Sequence, residues 1–123
     1  MQRPDAPSPE RQRRYRSGHG AEVVAAAFLL AKGHRILTRR FKTPLGEIDL
    51  ITLKAGRIGF VEVKRRATRK DCEAAITPKL RSRVRRASDL WLARNPRYQG
   101  NDVGFDLVFV MPWKVPLFLR DAL

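Results

Sequence analysis

The sequence predicts an α/β fold: a mixed central sheet with helices packed on it, in the order α-β-β-β-α-β with a weak final strand. Three observations predict it. Ala21, Val24, Ala25, Phe28 and Leu29 recur at three- and four-residue steps, the period of a helix. Residues 46–66, "GEIDLITLKAGRIGFVEVKRR", read as two strands about a short turn. Near the C-terminus "VGFDLVFVM" is apolar almost throughout, as a strand covered on both faces is.

The elements follow in order. Residues 1–16 carry Pro4, Pro7, Pro9 and five arginines with almost nothing to bury, the composition of a flexible basic tail. A helix is expected from Ser17 until Gly33 stops it; Val23, Ala26, Ala27 and Leu30 on its other side are also apolar, which predicts burial on most sides. "HRILTRRF" is the first strand, and Pro44 and Gly46 turn the chain into strands at about 47–54 and 57–65. "RATRKDCEAAI", residues 66–76, reads as a mobile basic loop. Thr77 is a helix N-cap with Pro78 at the first helical position, Leu80, Val84, Ala87 and Trp91 form the apolar stripe, and Asn95–Pro96 end the helix. "VPLFLRD" gives the weak last strand.

The chain has 123 residues, which suits one domain, here 17–123 after the tail. Its formal net charge of +14 predicts attraction to polyanions, nucleic acid first among them. Cys72 is the only cysteine, so no internal disulfide and no multi-cysteine zinc site can form. The N-terminus lacks the apolar core of a signal peptide, and the longest apolar run, Val23–Ala31, falls short of the roughly 20 residues a membrane span needs. A cytoplasmic protein with no membrane partner is expected.

Three of only 12 acidic residues, Glu47, Asp49 and Glu62, interrupt the strands of the predicted hairpin. If Lys54 faces Arg57 across the "KAGR" turn, Asp49 falls opposite Glu62 and Glu47 opposite Lys64. Facing carboxylates repel, and burial makes each seek a proton or a cation. A divalent cation with oxygen ligands resolves that conflict, and Lys64 adds a fixed positive charge beside it, the parts for metal-assisted phosphodiester hydrolysis. Spacing alone equally fits a solvated hairpin in which Glu47 and Lys64 form a cross-strand ion pair.

"GEIDLI", followed 13 residues after its Asp by the Glu of "FVEVKRR", together with "GHGAEVVAAAFLLAKGHRIL", resembles the YraN family of small bacterial proteins, from about Gly18 to the C-terminus. It is also similar to the core of the PD-(D/E)xK nuclease superfamily, including archaeal Holliday-junction resolvases. The resemblance implies a single restriction-endonuclease-like domain. It implies that Asp49 and Glu62 hold Mg²⁺ or Mn²⁺, that Lys64 assists the attacking water, and that Glu22, in the family's "G-x-x-x-E" helix, is a further ligand. The helix-dipole role of an acid near a helix start stays open for Glu22. The implied activity is endonucleolytic cleavage of DNA, branched or damaged, and a symmetric homodimer is the implied assembly. The rival reading is a non-catalytic nucleic-acid or ribonucleoprotein binding module on the same fold. Two departures stand out: no proline precedes Asp49, and "GFD" at 104–106 replaces the family's usual "RFD", which predicts a weakened accessory contact.

Residues 65–86 hold nine basic residues, Arg65, Arg66, Arg69, Lys70, Lys79, Arg81, Arg83, Arg85 and Arg86, against two acids. They form a candidate phosphate-binding ridge without predicted base specificity. Asp106 in the apolar strand is read as a partner for an arginine, and Trp91, Trp113 and Phe105 as core or interface rather than as base-stacking platforms.

Overall fold

A computed structural model describes residues 9–123, with side chains from Gly20 onward; residues 1–8 of the expected tail lie outside the described residues. The elements are α1 (Pro9–Ala31), β1 (Arg35–Thr43), β2 (Gly46–Lys54), β3 (Arg57–Arg65), α2 (Arg69–Ala74), α3 (Pro78–Arg94), a 3₁₀ turn (Pro96–Tyr98), β4 (Asp102–Val110) and β5 (Leu117–Leu119). The five strands stand in the order β1-β2-β3-β4-β5. β3 and β4 run parallel and the other neighbours antiparallel, so the sheet is mixed as expected.

Two apolar layers close on this sheet. Ala25, Ala26 and Leu29 of α1 pack on Leu50, Val61 and Val108. On the other face Val84, Ala87 and Trp91 of α3 and Cys72 of α2 pack on Ile48, Ile51, Ile58, Phe60, Leu107 and Phe109. β4 therefore supplies Val108 to one layer and Leu107 and Phe109 to the other, which is why its sequence is apolar without alternation.

Three expectations change. α1 begins at Pro9, not Ser17: Glu10, Gln12 and the neighbouring arginines are good helix formers, and proline is tolerated in a first helical turn. Nor is α1 buried all round, because Val23, Val24 and Leu30 are exposed. The 66–76 stretch contains a helix, α2. The Thr68 hydroxyl caps it by accepting from the Asp71 N–H at 3.2 Å, and Cys72 anchors it in the core. That burial also pushes the Cys72 thiol pKa up.

α3 follows its sequence signals. Thr77 accepts from the Leu80 N–H at 3.1 Å, and at the far end Asn95 donates its side-chain amide to the Trp91 carbonyl at 2.8 Å. Trp91 is core as predicted, its indole N–H donating to Thr38 at 3.2 Å and its ring stacked on Tyr98. Trp113, by contrast, is fully exposed.

Asp106 has the arginine partner anticipated for it. Arg57 binds it through two hydrogen bonds of 2.9 and 2.7 Å, and the Asp121 N–H adds a third at 2.9 Å. Those bonds hold the Arg57 pKa above its ordinary range. Gly59 and Gly104 stand side by side beneath the guanidinium, and a β-carbon on Gly104 would overlap it. "GFD" in place of "RFD" therefore does not leave the aspartate short of a guanidinium; Arg57 lies across the bare glycine and supplies one.

The β1–β2 turn is fixed by Thr43, whose hydroxyl donates to the Gly46 carbonyl at 2.7 Å and accepts from the Leu45 and Gly46 N–H groups. A β-carbon on Gly46 would sit 2.7 Å from the Arg83 carbonyl oxygen, so α3 packs directly on this backbone. Gly46→Ala is expected to cost about 1–3 kcal/mol, the usual range for overpacking, read as a lower urea midpoint with unchanged m-value.

Candidate active site

The site begins with a bend shared by two strands. Ile48 packs on the α3 side and Leu50 on the α1 side, although residues two apart in a regular strand share a face. Across the ladder the same switch occurs between Arg39, paired with Leu50, and Phe41, paired with Ile48. Both strands change face at their opposed middle residues, Asp49 and Arg40, and Arg40 takes the left-handed φ of 52° that this requires.

On its other side β2 parts from β3 at the same place. The ladder runs in the register expected from the turn, from Lys54–Arg57 to Leu50–Val61. Ala55 and Gly56 form that turn, both at positive φ, as a two-residue hairpin loop requires. Beyond Leu50 the side chain of Asp49 replaces the backbone pairing: its Oδ2 accepts from the Val63 N–H at 2.7 Å. This bond ties the aspartate to the strand that carries Glu62 and Lys64.

Asp49 and Glu62 thus meet, as the register predicted. Their carboxyls interact directly, and Lys64 Nζ lies 3.1 Å from Glu62 Oε1. Burial and the neighbouring Glu62 push the Asp49 pKa up to about 8, and burial raises Glu62 as well, against the pull of Lys64. The pair holds a proton at neutral pH that two separate surface acids would release. Glu47 lies at its edge, near enough to disfavour ionisation of Glu62. That residue is exposed and stands opposite Lys42 of β1, while Lys64 turns to Glu62 on its own strand.

Glu22 of α1 is near enough to disfavour ionisation of Asp49, but its carboxylate is engaged by Arg40, Nε to Oε2 2.6 Å. Among the described residues no three acidic, histidine or cysteine side chains stand together as a ready metal cage. The Asp49–Glu62 pair is nonetheless a fitting donor set for a hard divalent cation. It offers two adjoining carboxylates, poorly hydrated, whose shared proton a cation can displace.

The predicted basic residues fall into two sets. Arg65, Arg69, Lys70, Lys79, Arg81, Arg83 and Arg86 are exposed along the end of β3, α2 and the outer side of α3. Arg66 is half-buried and donates to the Arg65 carbonyl at 2.7 Å. Arg85 has structural work instead: it donates to the Leu123 carbonyl at 3.0 Å and lies over the Phe105 ring. Sequence reasoning missed Arg40 as the partner of Glu22 and the Val63 N–H as the anchor of Asp49. The "RR" at 39–40 was visible, but nothing in it distinguished the residue at the bend. No helix among the described residues is long and apolar enough to cross a membrane.

The model of the uncharacterised protein family UPF0102 matches residues 21–110, a segment that contains Glu22, Asp49, Glu62 and Lys64. A UPF0102 protein of Rhodopseudomonas palustris (strain BisB5) is 46% identical over 94% of this chain and 88% of its own length. One from Bradyrhizobium sp. (strain ORS 278) is 46% identical over 94% of this chain and 82% of its own. Another, from Mesorhizobium japonicum, is 42% identical over 96% and 94%.

Proposed function

Because this chain belongs to the uncharacterised family UPF0102, the YraN family its motifs resemble, we propose a function from its own residues: a Mg²⁺- or Mn²⁺-dependent endonuclease acting on DNA, with branched or damaged DNA as its substrate. The observation that carries this reading is the buried Asp49–Glu62 pair with Lys64 beside it, at the end of the sheet where the basic residues of β3 and α2 begin. A structural ion pair would have matched one acid to one base; here two acids adjoin one lysine, and the proton that the pair shares in the metal-free chain is one that a cation can replace.

Each residue has a definite task. Asp49 and Glu62 would hold the cation, Asp49 fixed by the Val63 N–H and Glu62 by Lys64. Bound there, the cation would supply Lewis-acid charge to a phosphate oxygen and lower the pKa of water. Lys64 keeps its ammonium where negative charge develops on the phosphate. The exposed arginines and lysines from Arg65 to Arg86 draw the polyanion to this end of the sheet, with a strong salt dependence.

One observation favours a second reading. The third acid, Glu22, is neutralised by Arg40, which suits a binding module that keeps the nuclease fold without turnover. A panel of nicked, flapped and four-way DNA with Mg²⁺ or Mn²⁺ separates the two. The endonuclease reading expects metal-dependent cleavage that Asp49→Asn and Glu62→Gln abolish. Equal cleavage by wild type and both variants would expose a contaminant, and salt-sensitive binding without cleavage would favour the module.

A further inference from the structure

The loop from β4 to β5, residues 111–116, reads "MPWKVP". Trp113 at its tip is 103% exposed, and Val115 is 75% exposed. The Trp113 backbone is also left-handed, φ 60°, a conformation that costs a bulky side chain energy and that glycine would adopt freely. Strain and solvent exposure of the largest apolar side chain both oppose this arrangement, so the folded chain alone gains nothing from tryptophan here. Pro112 and Pro116 restrict the loop on both sides and hold the indole outward at little further entropic cost.

Its position gives the indole a use. β3 and β4 are parallel, Arg65 pairs with Val110, and the Arg66 N–H donates to the Val110 carbonyl at 3.2 Å. The loop therefore leaves the sheet at the carboxyl ends of the two parallel strands, where Lys64, Arg65 and Arg66 also emerge, and where open α/β sheets bind ligands. Three residues of chain reach at most ~11 Å past Val110, and neighbouring strands are ~4.8 Å apart, so the Trp113 backbone lies within ~16 Å of Arg65. That is about five base-pair steps of one strand. A strand whose phosphates rest on Arg65 and Arg66 has bases within reach of the indole. Residue 113 lies outside the segment 21–110 that matches the family.

We propose that Trp113 is a stacking platform for an unpaired nucleic-acid base at the edge of the candidate active site, selecting single-stranded or locally opened substrate over intact duplex. This rests on the nucleic-acid reading above and adds to it the structural class of the substrate. Indole stacking needs only the π-face that every base has, so it confers preference for opened strands without sequence preference.

The test uses the full chain without divalent metal, so that cleavage plays no part. A single-stranded DNA oligomer, its RNA counterpart and a duplex of equal length are titrated while tryptophan emission is followed. Trp91, the only other tryptophan, is buried and serves as the unchanging background. Wild type is expected to show quenching on single strands. Trp113→Ala should lose it and bind single strands about 5- to 150-fold more weakly, with duplex affinity unchanged. Trp113→Phe should retain most of the single-strand affinity. Trp113→Gly, which relaxes the left-handed backbone, should match the alanine variant in binding and melt no lower than wild type.

Unchanged single-strand affinity in Trp113→Ala overturns the proposal, as does an equal loss for single strand and duplex, while salt-sensitive duplex binding leaves the broader reading intact. Wild type that binds no nucleic acid overturns both. Quenching by anionic phospholipid vesicles but not by oligonucleotides overturns the proposal in favour of a membrane contact. A preference between the DNA and RNA arms identifies which polymer supplies the base.

Discussion

Arg57→Met is expected to remove about 3–5 kcal/mol of folding stability, the usual penalty for stranding one partner of a buried ion pair. The Asp106 side chain is wholly buried, and two of its three hydrogen bonds come from this guanidinium. Methionine keeps much of the stem but leaves the carboxylate with only the Asp121 N–H. Against a total stability of about 5–15 kcal/mol, the loss should lower the thermal midpoint by roughly 10–25 °C. A further measurement separates this cause from simple loss of packing. Asp106→Asn added to Arg57→Met should recover part of the deficit, giving a large coupling energy in the double-mutant cycle. Gly104→Ala should behave similarly, since its β-carbon displaces the guanidinium. Asp121→Ala should cost little, its carboxylate being a largely exposed partner. A small effect of Arg57→Met with no coupling to Asp106→Asn would show that the ion pair does not set the stability of the β3–β4 pairing.

What the sequence made legible divides along the range of the interactions involved. The ends of α3 were readable because Thr77-Pro78 and Asn95-Pro96 act on their own neighbours. The register from Lys54–Arg57 to Leu50–Val61 was readable because a two-residue turn fixes it locally. Beyond Leu50 the same arithmetic brings Asp49 to Glu62, whereas Lys64 takes its ion pair from Glu62 on its own strand instead of from Glu47 across the hairpin. The alternation rule assumes a flat ladder, and the ladder ends where Asp49 takes the Val63 N–H. The face switch at Arg40 and Asp49 leaves no periodic trace, because a single left-handed residue costs one dihedral and no change in composition. α2 was missed because six residues are too few to show a helical period, and the burial of Cys72 settles its state. The pairing of Glu22 with Arg40, and of Asp106 with an arginine 49 residues away, are tertiary choices among many basic residues. By residue type alone Trp113 reads as core or interface; its full exposure removes the first of these, which only the loop geometry reveals.

The proposed cation site would set stability and function against each other, and Asp49→Asn should display that opposition. The raised Asp49 pKa, about 8 against an ordinary value of 3.8, means that the folded metal-free chain retains a proton that the unfolded chain has released. The stabilising contribution is complete below about pH 4 and is lost as pH rises through about 8, at no more than ~1.4 kcal/mol per pH unit for each proton. Metal-free wild type should therefore melt several degrees lower at about pH 8 than at about pH 6.5. His34, whose pKa is lowered by burial and by Lys54, works in the opposite direction. It is common to wild type and variant, so the difference between them isolates the pair. Asp49→Asn keeps an amide oxygen for the Val63 N–H and an amide donor for Glu62, with no proton to lose. Its midpoint should exceed that of wild type at pH 8 and vary less with pH. The proposed cation should invert the order. Mg²⁺ or Mn²⁺ bound there would displace the shared proton, so wild type should gain about 2.7 kcal/mol at a hundredfold excess over Kd, more readily as pH rises, while Asp49→Asn gains little. Cleavage, where wild type shows it, should disappear in the same variant that melts highest without metal. Thermal unfolding of both proteins at the two pH values, with and without the cation, checks every part of this. Parallel pH slopes for wild type and variant would mean that Asp49 and Glu62 ionise as ordinary surface acids, and the case for a cation between them would fall with that result.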